Sequence, residues 1–80
     1  MIDKKIFKEH KRNKMKVFLN GKKINVRNNL TAQQLLSEMG YQDKRIALEI
    51  NGEVTPKSEY SNKIIVENDK LEIIVAVGGG

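Results

Sequence analysis

Eighty residues and 9.1 kDa allow one small domain, and no apolar run approaches the ~20 residues that cross a bilayer. Hydrophobic residues at 39% and charged residues at 31% give a globular composition. The absence of cysteine and a single histidine, His10, exclude disulfides, thiolate metal sites and histidine-rich metal centres.

The net charge of +5 is not spread evenly. Residues 1–14 carry Lys4, Lys5, Lys8, Lys11, Arg12 and Lys14 against Asp3 and Glu9, a net of +4. The remaining chain is left with +1. We expect a basic, disordered N-terminal extension over 1–14, with His10 solvated in it, and no nucleic-acid function despite the high pI. The apolar content of the extension is too short for a signal peptide, and a cysteine-free domain of this size suits a reducing cytoplasm.

Met15–Asn20 alternates, with Met15, Val17 and Leu19 on one face. Asn20-Gly21 predicts a type I′ turn, because both central positions need positive φ. Ile24–Arg27 returns as a second strand. Thr31 then predicts a helix N-cap, with Gln34 completing a capping box. Ala32, Leu35, Leu36 and Met39 form the apolar stripe of a short helix, and Gly40 suits its αL exit. A helix this short must dock on a sheet to be stable.

Ile46–Ile50 alternates again, and Asn51-Gly52 marks a second tight turn. Glu53-Val54 reads as a short edge strand ended by Pro56, and Lys57–Lys63 as loop or one helical turn. Ile64–Val66 predicts a short strand, Asn68–Lys70 a turn, and Leu71–Val77 a long central strand. The glycines Gly78, Gly79 and Gly80 follow directly. The expected domain is 15–77, with 78–80 as a flexible tail. The fold class is α+β, a mixed sheet of four to five strands wrapped around one short helix. The expected core is Val17, Leu19, Ile24, Val26, Leu30, Leu35, Leu36, Met39, Ile46, Leu48, Ile50, Ile64, Leu71, Ile73 and Val75.

No catalytic constellation is visible. Ser37, Ser58 and Ser61 lack a base, and the carboxylates occur singly. The Asn-Gly turns precede no helix and cannot act as phosphate loops. What stands out is the strand that runs into three glycines with no polar spacer. A linker remnant has the same composition. A side-chain-free tail can also thread a channel that any Cβ would block, bringing the Gly80 carboxylate to an enzyme's site. Adenylation would turn that carboxylate oxygen into a leaving group, and sulfur could then attack the Gly80 carbonyl.

The MKVFLNGK start, the TAQQLLSEMG helix, the ALEINGEVTPKSEY segment and the AVGGG end resemble the ThiS family, sulfur carriers of thiamine (thiazole) biosynthesis. The resemblance covers Met15–Gly80 and implies the ubiquitin-like β-grasp fold. It implies that the chain is no enzyme but a protein substrate that binds no cofactor. A ThiF-type adenylyltransferase would use ATP to activate Gly80. A cysteine desulfurase or other persulfide donor would supply sulfur, giving a 1-thioglycine thiocarboxylate. The thiazole synthase ThiG would accept that sulfur. Rival expectations are a MoaD-like subunit of molybdopterin synthase, a ubiquitin-like modifier and a basic-arm nucleic-acid binder. In the β-grasp order the first and last strands are neighbours and Ile46–Ile50 flanks the last. Strand alternation then turns Phe18, Ala47, Ile74 and Ala76 outward, as one apolar docking patch leading to the tail.

Overall fold

The computed structural model describes residues 14–76. The expectations for residues 1–13 and 77–80, including the basic extension and the glycine tail, lie outside the described residues.

Among the described residues, six elements of regular structure and one 3₁₀ turn follow the expected order. They are β1 (Lys14–Leu19), β2 (Lys22–Arg27), α1 (Ala32–Glu38), β3 (Ile46–Ile50), β4 (Glu53–Thr55), the 3₁₀ turn Lys57–Glu59, and β5 (Lys70–Val75). The strands form one mixed sheet in the order β2-β1-β5-β3-β4. β5 is central, parallel to β1 and antiparallel to β3. β1 already begins at Lys14, and β2 at Lys22, because the hairpin register pairs Leu19 with Lys22 directly across the turn. Asn20 and Gly21 both have positive φ (50° and 86°), as do Asn51 and Gly52 (54° and 88°), so both Asn-Gly turns have the expected backbone.

Both ends of α1 are capped. Thr31 Oγ1 accepts from the Gln34 N–H at 3.1 Å, and Gln34 Oε1 accepts from the Thr31 N–H at 2.9 Å. The Ala32 and Gln33 N–H groups donate to the Lys63 and Tyr60 carbonyls, at 2.7 and 3.0 Å. The otherwise orphaned donors of the first turn are thus satisfied by the cap and by the segment after the 3₁₀ turn. At the other end Tyr41 N–H reaches Leu36 O (2.8 Å) and Gly40 N–H reaches Ser37 O (3.1 Å), with Gly40 at φ 87°. This is the Schellman pair that stops a helix.

The inward face of the sheet and one side of α1 enclose Met15, Val17, Val26, Leu30, Ala32, Leu35, Leu36, Leu48, Ile50, Tyr60, Ile65, Leu71 and Ile73, with Leu19, Ile24, Tyr41 and Ile46 half-buried around them. Three expected core residues are corrected. Met39 is the C-cap of α1 and lies at the rim of the core, exposed. Val75 follows the inward alternation of β5, but its partner Ile46 is itself only half-buried, so the cover over this end of the sheet is incomplete. Ile64 is exposed, and Ile65 is the buried residue instead. The expected Ile64–Val66 strand is also corrected: only one isolated bridge forms, between Ile64 and Thr31. The Ile65 N–H donates to Leu30 O at 2.8 Å, which turns its side chain inward and leaves Ile64 and Val66 facing out. Finally, β5 ends at Val75.

Candidate functional site

The chemistry expected from the sequence lies at the far end of β5, so what holds that strand decides how the end is presented. Its first residues are gripped from both sides by the two Asn-Gly turns. Asn20 N–H donates to Leu71 O at 2.8 Å, which is one step of a parallel ladder. The next step should use the Asn20 carbonyl, but the positive φ turns it away. The side chain replaces it: Oδ1 accepts from the Ile73 N–H at 2.8 Å, and Nδ2 reaches Ile73 O at 3.4 Å.

Asn51 acts in the same way from β3. Its N–H donates to Lys70 O at 2.7 Å, and its Oδ1 accepts from the Lys70 N–H at 2.9 Å. Its Nδ2 donates to Asp69 Oδ1 at 2.9 Å. Asp69 is buried, and its Oδ2 accepts from the Val66 N–H at 2.9 Å. The buried carboxylate therefore has a donor on each oxygen, as a buried charge requires. The Phe18 N–H donates to Asp69 O at 2.9 Å, which ties the same corner to β1.

Among the described residues no such hook holds the other end of β5. Ala47 faces Ile74 and Ile46 faces Val75 across the β3 ladder, and the Ala76 N–H continues it to Arg45 O at 2.9 Å. On the outer face Ala47, Ile74 and Ala76 are exposed, Ile74 at 54%. Val54 is exposed on β4 beyond Glu49. Phe18 stands apart from these three. It is half-buried and pairs with Lys23 and Lys70, four positions before Ile74. At about 3.3 Å per residue that is ~13 Å along the strand. Glu72, paired with Glu49, lies between them on the same face. The structure thus groups Ala47, Ile74 and Ala76 and separates Phe18, because the parallel register sets Phe18 level with the start of β5. The expectation of one continuous apolar patch is revised to that extent. Gly78, Gly79 and Gly80 lie outside the described residues.

Among the described residues no group of three or more His, Asp or Glu side chains is placed to hold a metal ion. No described helix is long and apolar enough to cross a membrane. The side-chain amides of Asn20 and Asn51 are the structural feature that sequence reasoning missed, since an Asn-Gly pair signals the backbone of a turn and says nothing of what its amide will reach.

The ThiS family model matches residues 5–80. The chain belongs to the ThiS family. That family is one of small sulfur carriers of thiamine biosynthesis. The solved structure of the thiamine biosynthesis protein ThiS from Geobacter metallireducens is similar over its whole length and 82% of this chain, with a TM-score of 0.72 and 29% identity. The β-grasp architecture is shared. A thiazole synthase of Paramagnetospirillum magneticum is 39% identical over 66 residues, 82% of this chain. The chain spans only 20% of that protein's length. An uncharacterized protein of Porphyra purpurea, ycf40, is 39% identical over 78% of this chain and 87% of its own length.

Proposed function

We propose that this chain carries sulfur as a thiocarboxylate on Gly80. The Gly80 carboxylate oxygen attacks the α-phosphorus of ATP on a ThiF-type adenylyltransferase, releasing pyrophosphate and leaving an acyl adenylate. The terminal sulfur of a persulfide then attacks the Gly80 carbonyl and expels AMP. The resulting acyl disulfide is cleaved by a thiol, which supplies the two electrons and leaves the thiocarboxylate. A cysteine desulfurase or another persulfide carrier is the donor. ThiG, the thiazole synthase, is the acceptor, a role supported by the likeness of this chain to part of proteins named thiazole synthase. Gly78 and Gly79 let the tail enter a narrow site without a Cβ in the way. No cofactor resides on the carrier, and the ATP belongs to the activating enzyme.

The observation that carries this reading is the central strand of a ThiS-family chain, anchored at its start and open at its end, with three residues between Ala76 and Gly80. Incubation with ATP, the adenylating enzyme and a persulfide donor should replace one oxygen by sulfur within the C-terminal peptide, as read by mass spectrometry. Deleting Gly80 should abolish the change and leave thermal unfolding unaltered. Sulfur gained by the truncated chain would sink the assignment.

A further inference from the structure

On the helix side of the sheet, below the end of β5, lies a pocket of about 440 Å³. It opens between the C-terminal end of α1, the loop into β3 and the 3₁₀ turn. Leu36 and Ile46 give it an apolar floor, and Tyr41 and Tyr60 give it aromatic walls. Three cations, Lys44, Arg45 and Lys57, stand around it, and no carboxylate lines it. All three are exposed, and none forms an ion pair among the described residues, where Arg27–Glu38 is the pair that does form. The nearest acidic residues in sequence, Asp43 and Glu59, are not part of its lining. The Tyr60 ring is buried, and burial pushes its hydroxyl above the ordinary tyrosine range, so at neutral pH it remains a neutral donor.

The pocket's place matters as much as its charge. Arg45 is both a lining residue and the backbone partner of Ala76, the last described residue before the tail. Gly80 is the fourth residue beyond Ala76, a reach of at most ~14 Å. A protein that takes the Gly80 carboxylate into its own site must therefore come within that distance of Arg45. The exposed Ala47–Ile74 pair lies on the opposite face of the same strands. Such a protein meets apolar surface above the tail root and a cationic pocket below it.

We infer that this pocket receives an acidic segment of the protein that activates the tail, whose carboxylates pair with Arg45 and Lys57 while its apolar part rests on Tyr41 and Ile46. The inference rests on the proposed function for the partner's identity, and on the pocket alone for the partner's chemistry. Opposed charge at the rim of an interface chiefly speeds encounter and fixes orientation, so its effect should be salt-sensitive.

The test is the KM for the full-length carrier in ATP–pyrophosphate exchange by the adenylating enzyme, at low and high salt. The reversal Arg45→Glu/Lys57→Glu should raise KM roughly tenfold at low salt, with the difference shrinking at high salt and kcat unchanged. Lys22→Glu/Lys23→Glu, on the far edge strand, controls for net charge. An unchanged KM in the pocket variant, or an equal rise with Lys22→Glu/Lys23→Glu, overturns the inference. A wild-type chain that supports no exchange would instead sink the proposed function. Whatever that assay gives, a glutamate-rich peptide with one aromatic residue should shift the amide resonances of Lys44, Arg45, Ile46 and Lys57 at low salt. Shifts spread evenly over the basic surface, or none, overturn the pocket's chemistry.

Discussion

The two ends of β5 are held by different physics. At Lys70–Ile73 the strand is hydrogen-bonded on both sides by backbone and, in addition, by two asparagine side chains, of which Asn51 is held in turn by the buried Asp69. At Ile74–Ala76 it keeps the β3 ladder, while its side chains are exposed on both faces. Polar satisfaction in a buried setting makes the first end costly to open. The second end is held only by pairing that water can contest. A carrier benefits from this asymmetry: a fixed start gives the tail a defined exit, and an open end leaves surface for whatever receives it.

The comparison breaks most sharply at Asp69. Asp69→Ala removes the acceptor of the Val66 N–H and of Asn51 Nδ2 in a buried corner. It should cost about 3 kcal/mol of unfolding free energy, measured by chemical denaturation. Asn51→Gly keeps the positive φ of the turn and deletes only the amide, so a loss of about 2 kcal/mol would isolate the side chain's part. Asn20→Gly should cost less, about 1 kcal/mol, since one of its two bonds is long at 3.4 Å. If all three variants are as stable as the parent, the anchored end is not anchored by these groups.

At the open end the effects on stability should be small. Ile74→Asp replaces an exposed side chain, and its cost should stay near the ~1 kcal/mol span of strand preferences. Its effect on the KM for the adenylating enzyme should be larger, because the exposed pair with Ala47 is lost. A variant that unfolds would show that folding depends on the open end no less than on the anchored one. One that folds and is activated normally would show that this face does not dock.

Much of this contrast is legible in the sequence, and the part that is not has a physical cause. Alternation places Val17, Leu48, Leu71 and Ile73 in the core and turns Ala47 and Ile74 outward, because a strand with one buried face has only two registers. The run Ile64-Ile65-Val66 carries no alternation, so its facing cannot be read. The Leu30 carbonyl decides it in favour of Ile65. Val75 obeys the alternation but outruns the cover, which no local pattern encodes. The separation of Phe18 from Ile74 depends on the parallel register of β1 with β5, a non-local quantity. The Asn-Gly pairs announce their turns, but the same asparagines lock β5 through residues about 20 to 50 positions away, beyond any short-range signal.

The smallest expected effect concerns Tyr60, whose ring closes the core beneath the open end. Burial raises its pKa above the ordinary 10.0. The unfolded chain therefore releases this proton first as pH rises. The Tyr60 contribution to stability is complete below pH 10.0 and is lost as pH climbs from there through the raised folded-state value. The measurement must be a difference, so that the Tyr60 hydroxyl alone is varied. Unfolding free energies of the parent and of Tyr60→Phe, taken on both sides of pH 10.0, should converge or cross as the parent loses stability faster. Phenolate absorbance of the folded parent should show a component above the ordinary range that Tyr60→Phe removes. Parallel stability curves would mean that the hydroxyl is as well solvated in the folded chain as in the unfolded one. The wall of the pocket under the tail root would then be looser than the buried ring implies.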